Sequence, residues 1–142
     1  PKPSSAASDV YKRQALYYGS EWGISGEKAP CSDAGLRPAL EKPEWNALTS
    51  WIARLAAARR GSPALREGSY RNVLLTNLQL IFERRTETER VLVAVNADSQ
   101  PYTAHFDAGC GLAWDLISGQ QHDFGGGSQL PPYSAFFWKM ER

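Results

Sequence analysis

Two acidic residues, a tryptophan and an arginine lie in one polar, glycine-punctuated stretch near the beginning of this 142-residue chain. They are Glu21, Trp22, Asp33 and Arg37. Carboxylates and a guanidinium group hydrogen-bond well to hydroxyl groups, and an indole face can cover the apolar side of a pyranose ring. These are the residue types that a site for a polyhydroxylated ligand such as a sugar needs.

Each of these four residues also has a purely structural interpretation. Glu21 can hold the stretch by accepting backbone amide hydrogens, and Trp22 can pack beneath it. Asp33 and Arg37 can form an ion pair with each other. The sequence alone leaves both interpretations open.

The elements around the stretch are predicted to be a strand, a long loop and a helix. Residues 15–19 are apolar and aromatic, which favours a strand, and residues 20–42 form the loop. Pro43 suits a first helical position, and Gly61 suits a helix end. Between them, apolar residues recur at steps of three and four, which predicts a helix over residues 43–60. These residues are Trp45, Leu48, Ile52 and Leu55.

From Gly68 onward the apolar period changes to two, which is typical of strands. Turn residues separate the strands, and this favours an antiparallel β-sandwich. On the second strand we expect Leu78, Leu80 and Phe82 to form the apolar face. The charged hairpin that follows, with Glu83 and Glu89, is expected to be solvated. The predicted strands are Tyr70–Leu75, Leu78–Arg85, Arg90–Asn96, Tyr102–Phe106, Leu112–Leu116 and Ala135–Lys139.

Composition excludes several classes of function. The net charge is +1, which provides no electrostatic footprint for nucleic acid or an anionic membrane. No stretch approaches the roughly 20 apolar residues of a membrane helix. Cys31 and Cys110 predict free thiols, and together with His105 and His122 they form no recognisable metal site.

Several segments resemble the α-amylase family of glycoside hydrolases, above all its bacterial maltodextrin-acting enzymes of the cyclomaltodextrinase, neopullulanase and oligosaccharide-glucosidase types. The likeness is strongest at Leu16–Gly23 and Val91–Asn96, and the Arg37-Pro38 pair adds to it. It implies that residues 15–62 are the last strand, loop and helix of a truncated (β/α)8 barrel. Residues 63–142 would then form a C-terminal antiparallel β-sandwich domain.

The resemblance also implies a parent enzyme that hydrolyses or transfers at α-glucosidic bonds of maltodextrins by a retaining mechanism with two carboxylates. The family carries its catalytic carboxylates on earlier strands, so no catalytic residue is expected here. Glu21, Trp22, Asp33 and Arg37 would contribute to binding of an α-glucan or maltooligosaccharide. The missing catalytic barrel would be the intramolecular partner. Calcium is common in the family, but no cofactor or metal site is expected in this chain. A bacterial cytoplasmic location is favoured.

The opening residues 1–14 resemble translated sequencing-adapter sequence, and the family's usual glycine and proline are missing before Tyr17 and Tyr18. We therefore expect these residues to be non-native and exclude them from fold reasoning. The alternative is a natural disordered arm, which their Ser, Ala and Lys content also permits.

Two other functions remain open on the sequence. The chain could be a stand-alone carbohydrate-binding β-sandwich module that holds glycans on Trp114 and Trp138, although such residues more often fill a core. It could also be a protein-interaction domain that grips a partner through Trp45, Ile52 and Leu55.

Overall fold

A computed structural model describes residues 16, 18–36, 39, 42–109 and 111–140. The expectation for residues 1–14 lies outside these residues, as does Arg37. The chain divides into two compact units, Pro1–Ala56 and Ala57–Arg142. The predicted domain division at residue 62 stays a prediction.

The predicted strand over residues 15–19 is wrong where the structure describes it. Leu16 belongs to no strand, and Tyr18 and Gly19 form a turn. A barrel strand keeps its conformation through hydrogen bonds to parallel neighbours on both sides. No such neighbour exists among the described residues of the first unit, which contain two 3₁₀ turns, Ser20–Trp22 and Ala34–Leu36.

Helix α1 spans Ala47–Gly61 and begins four residues later than predicted. Asn46 caps it, because the Asn46 Oδ1 accepts a hydrogen bond from the Thr49 amide at 2.9 Å. In return, the Thr49 Oγ1 accepts one from the Asn46 amide at 3.4 Å. This reciprocal pair satisfies two amides that a helix start leaves without intrahelical partners. The cap therefore outweighs the suitability of Pro43 as a first helical residue.

A second, unpredicted helix α2 spans Pro63–Glu67. Ser62 is its N-cap, and the Ser62 Oγ accepts a hydrogen bond from the Leu65 amide at 3.2 Å. Pro63 takes the first helical position, where its missing N–H costs nothing. Pro63 therefore starts α2 only two residues after α1 ends at Gly61.

The second unit is mostly antiparallel β. Its large sheet has the order β1-β2-β3-β8-β5-β6, and β4 pairs with β7 in a separate two-stranded sheet. The predicted strands are confirmed within a few residues at each end, whereas β6 and β7 were not predicted. The strands are β1 Ser69–Leu75, β2 Gln79–Arg85, β3 Arg90–Asn96, β4 Tyr102–Ala104, β5 Leu112–Asp115, β6 Gln121–Asp123, β7 Ser128–Leu130 and β8 Ser134–Met140.

Apolar residues pack on both faces of the large sheet. The core on one face joins it to the small sheet and includes Ile81, Leu92, Ala104, Leu130 and Trp138. The core on the other face lies under α2 and consists of Ala64, Leu65, Val91 and Val93, with Phe82 packed against it.

The expectation that Leu78, Leu80 and Phe82 form the apolar face of the second strand is wrong, because both faces of this strand are covered. Leu78 lies outside β2 and is exposed, and Leu80 is only half-buried. The alternate residues Gln79, Ile81 and Glu83 are the buried set. A strand covered on both sides loses the simple alternation that marks a half-solvated strand.

Candidate functional site

Glu21 and Trp22 lie together in the first 3₁₀ turn, Ser20–Trp22. Gly19 opens this turn with a φ of 87°. A Cβ at Gly19 would lie 2.9 Å from the Ile24 Cδ1, so this position needs glycine for its conformation and for its space. The side chains of Glu21 and Trp22 are half-buried.

The backbone of this turn is held by the start of α1. The Glu21 carbonyl accepts a hydrogen bond from the Thr49 Oγ1 at 2.8 Å. The Trp22 carbonyl accepts one from the Asn46 Nδ2 at 3.0 Å. The residues that cap the helix therefore also fix the turn, and these bonds do not use the Glu21 carboxylate or the Trp22 indole.

Asp33 lies in a loop that closes on itself. A turn at its tip joins Ala29 and Ser32 by an isolated β-bridge. At its base two glycine backbones are in close contact, because a Cβ at Gly26 would lie 2.4 Å from the Gly35 carbonyl oxygen. Only glycine at Gly26 allows this approach. We call residues 24–36 the glycine-closed loop.

The Asp33 carboxylate pairs with the Lys28 Nζ across 3.9 Å within this loop. The two side chains are 68% and 72% exposed, so solvent weakens the attraction between them. The predicted pairing of Asp33 with Arg37 falls on a residue outside the described ones. The Asp33 carboxylate thus stays accessible to a ligand.

The structure brings Glu21 and Trp22 into one turn and sets Asp33 in the loop that follows. Substrate contact by Glu21, Trp22, Asp33 and Arg37 stays a prediction.

A cavity of about 500 Å³ lies in the second unit, and the sequence did not predict it. The turn between β2 and β3 forms part of its wall, and so does Trp114. Trp114 is 44% exposed, whereas Trp138 is 1% exposed and belongs to the core. Trp138 thus fills the core, as such residues more often do, and the alternative in which both tryptophans form one platform is excluded. The signal was present in β5, where Ala113 and Asp115 must point away from Trp114.

Glu83 is buried rather than solvated, which corrects the expectation for the charged hairpin. Its carboxylate accepts a hydrogen bond from the Arg71 Nε at 3.2 Å and pairs closely with the Arg90 guanidinium. Burial raises the pKa of Glu83, but the two arginines outweigh it and lower the pKa below the ordinary value of 4.5.

Glu89 is also buried, at the start of α2. Its Oε2 accepts hydrogen bonds from the Ser62 Oγ at 2.6 Å and the Ala64 amide at 2.8 Å. Its Oε1 lies 2.8 Å from the Lys139 Nζ. Burial raises the pKa of Glu89, but Lys139, Ser62 and the amide together lower it below 4.5. A negative charge at the N-terminus of a helix is also favourable.

Among the described residues, no group of three or more His, Cys, Asp or Glu side chains could hold a metal ion. In the same part of the chain, no helix is both long and apolar enough to cross a membrane.

No protein-family model and no curated protein matches this chain. Solved structures do resemble it, and they are glycoside hydrolases of the α-amylase family. An Anoxybacillus α-amylase superposes with a TM-score of 0.74 at 21% identity, over 87% of this chain and 28% of the other. AmyP, in complex with maltotriose, gives 0.73 at 22% identity, over 89% of this chain and 31% of the other.

A third solved structure, the trehalulose synthase MutB from Pseudomonas mesoacidophila MX-45, has a TM-score of 0.58 at 25% identity. The superposition covers 65% of this chain and 17% of MutB. The chain thus spans less than a third of the length of each of these structures. Its mostly antiparallel fold matches a C-terminal β-sandwich domain of amylase-family enzymes.

Proposed function

We propose that this chain is the C-terminal part of a retaining glycoside hydrolase or transglycosylase that acts on α-glucosidic bonds of maltodextrins. In this proposal, residues 15–62 complete a catalytic barrel, and residues 63–142 form a β-sandwich that covers and stabilises it. The observation that carries it is the likeness to the Anoxybacillus α-amylase, which extends over 87% of this chain.

The apolar side of α1 supports the barrel part of the proposal. Trp45, Leu48, Trp51 and Leu55 are large apolar residues of this segment that remain exposed. Burying such a side chain is worth about 1.5–3 kcal/mol, and monomeric proteins rarely leave contiguous apolar patches exposed. Neighbouring elements of a complete barrel would cover them.

The buried carboxylates of the second unit support a chemistry located elsewhere in the parent protein. Glu83 and Glu89 are held by cations and hydrogen-bond donors. Asp115 accepts hydrogen bonds from the Phe137 amide at 2.8 Å and the Ser118 Oγ at 2.6 Å. A glycosidase needs two carboxylates that face the scissile bond, and groups satisfied within the fold do not serve that role.

Maltotriose hydrolysis tests whether the catalytic residues lie outside this chain, in the rest of the parent protein. We expect no turnover by this chain alone and retaining hydrolysis or transfer by the complete reading frame that encodes it. In the complete protein, Asp33→Asn should reduce kcat/KM by roughly tenfold, about 1.4 kcal/mol, with unchanged melting. Lys28→Gln is the matched control, since it removes the partner of Asp33 but leaves the carboxylate. Hydrolysis of maltotriose by the chain alone would contradict the proposal.

A further inference from the structure

The cavity of the second unit lies beside the turn that joins β2 to β3. Thr86, Glu87 and Thr88 of this turn form one side, and Trp114 and Lys139 form another. Its volume of about 500 Å³ lies within the range of small-molecule sites, which is roughly 300–1,000 Å³. The cavity is therefore large enough for one or more sugar rings.

The indole of Trp114 faces this cavity for a structural reason. Trp114 pairs with Lys139 of β8, and its neighbours Ala113 and Asp115 are buried on the opposite face of the sheet. The strand thus directs Trp114 away from the core that holds Trp138. The wall of the cavity therefore includes an accessible flat apolar surface beside the polar side chains of the turn.

The charges around the cavity largely compensate one another. Lys139 pairs with Glu89, and Arg90 pairs with Glu83. Arg85 and Glu87, which have opposite charges, are exposed on the turn side. The lining carries three cations and two carboxylates, and Glu83 beneath it also pairs with Arg90. Because most of the positive charge is compensated in this way, the cavity provides no strong field that would select an anion. Its donors and acceptors instead suit a neutral ligand that is rich in hydroxyl groups.

We propose that this cavity is a second carbohydrate-binding site, which takes a neutral oligosaccharide. The Trp114 indole packs against the apolar face of one pyranose ring, and Arg85, Glu87 and Thr88 hydrogen-bond to its hydroxyl groups. The site lies in the β unit, is distinct from the predicted loop site, and needs neither Glu21 nor Asp33. Only the choice of an α-glucan as probe rests on the proposed function.

Calorimetric titration of the full chain with maltoheptaose tests the site. Truncating a central aromatic contact commonly costs more than 1 kcal/mol, so Trp114→Ala should weaken binding by roughly tenfold. Trp114→Phe should retain most of the affinity, because an aromatic face remains. Arg85→Ala should weaken binding less than Trp114→Ala does. It provides a second test of the site if the Trp114→Ala protein does not fold. Tyr133→Ala removes a more exposed aromatic residue that does not line the cavity and should leave the affinity unchanged.

Trp22→Ala distinguishes this site from the proposed loop site. If Trp22→Ala removes binding and Trp114→Ala does not, the second site is wrong and the loop function is supported. If maltoheptaose does not bind the wild-type chain, or if Trp114→Ala and Arg85→Ala both retain full affinity, the inference is overturned. Inorganic phosphate that binds at the cavity and displaces maltoheptaose would show an anion site instead.

Discussion

The two units hold their carboxylates in opposite ways. In the glycine-closed loop, Asp33 and Lys28 face each other at 3.9 Å and both remain in solvent. In the second unit, Glu83 and Glu89 are buried, and each is held by at least two partners. A solvated carboxylate can exchange its partner for a ligand, whereas a buried carboxylate needs its partners to keep the fold stable. The comparison separates the acidic residues available for binding from those required for stability.

The largest expected effect comes from removing Glu83. Glu83→Ala leaves Arg90 mostly buried without its carboxylate, and breaking a buried pair in this way costs about 3–5 kcal/mol. Chemical denaturation of the two proteins measures the difference. Glu87→Ala, an exposed residue of the same hairpin, should change the free energy of unfolding by less than about 0.5 kcal/mol. Equal losses of stability from both substitutions would contradict the distinction between buried and exposed carboxylates.

A somewhat smaller loss is expected for Glu89→Gln. The amide keeps the shape of the side chain but loses the negative charge between Lys139 and the start of α2. We expect a cost of about 1.5–3 kcal/mol, the value of a hydrogen bond to a charged group. Ser62→Ala removes the N-cap and should cost about 1 kcal/mol. If thermal unfolding of Glu89→Gln matched the wild type, the carboxylate would not hold this helix.

Acid should destabilise the sheet without any substitution. The folded-state pKa values of Glu83 and Glu89 are lowered below 4.5, so the unfolded chain binds protons first as the pH falls. The contribution of these two carboxylates to the free energy of unfolding should therefore be fully present well above pH 4.5. It should be lost as the pH falls through their lower folded-state pKa values. Urea midpoints between neutral and acidic pH measure this decline, which Glu83→Gln should reduce. A midpoint that stays constant on acidification would contradict it.

The glycine-closed loop should respond locally. Gly26→Ala places a Cβ 2.4 Å from the Gly35 carbonyl oxygen, so the base of the loop must open. We expect faster proteolysis within residues 24–36 and unchanged hydrogen exchange in the β unit. Gly111→Ala is the matched control, because nothing lies within 4 Å of its added Cβ. Loss of protection in the sheet would show that the loop change is not local.

The smallest effect is expected for Asp33→Ala. Exposed ion pairs contribute about 0–1 kcal/mol, so the free energy of unfolding should stay within about 0.5 kcal/mol of the wild type. Thermal melting in low salt, where surface attraction is greatest, gives the most sensitive comparison. A loss as large as that of Glu83→Ala would mean that Asp33 is a structural residue, and its proposed role in binding would lose its basis.

The sequence was sufficient where local signals are strong. Residues 90–96 were predicted with the observed bounds because a run of valines, leucine and alanine allows little else than a buried strand. Strands β6 and β7 were missed because they have three residues each and Gln121–Asp123 is polar. The start of α1 was misplaced because the capping contacts of Asn46 outweigh the preference of Pro43.

The candidate site was predictable only in part. The loop and its residue types are visible in sequence, and so is the alternation that directs Trp114 away from the core. The burial of Glu83 and Glu89 was not predictable, because their partners Arg71, Ser62 and Lys139 come together only when the sheet forms. A hairpin rich in charges looks solvated until the elements that cover it are known.

The genomic sequence upstream of this chain tests the central claim most directly. We predict that the reading frame continues into several β/α units, with aspartate and glutamate residues at strand ends that supply the retaining pair. A start codon directly before residues 1–14, in the same frame and in genomic DNA, would contradict the proposal. The chain would then be a small natural protein, and the cavity beside Trp114 would become its principal candidate site.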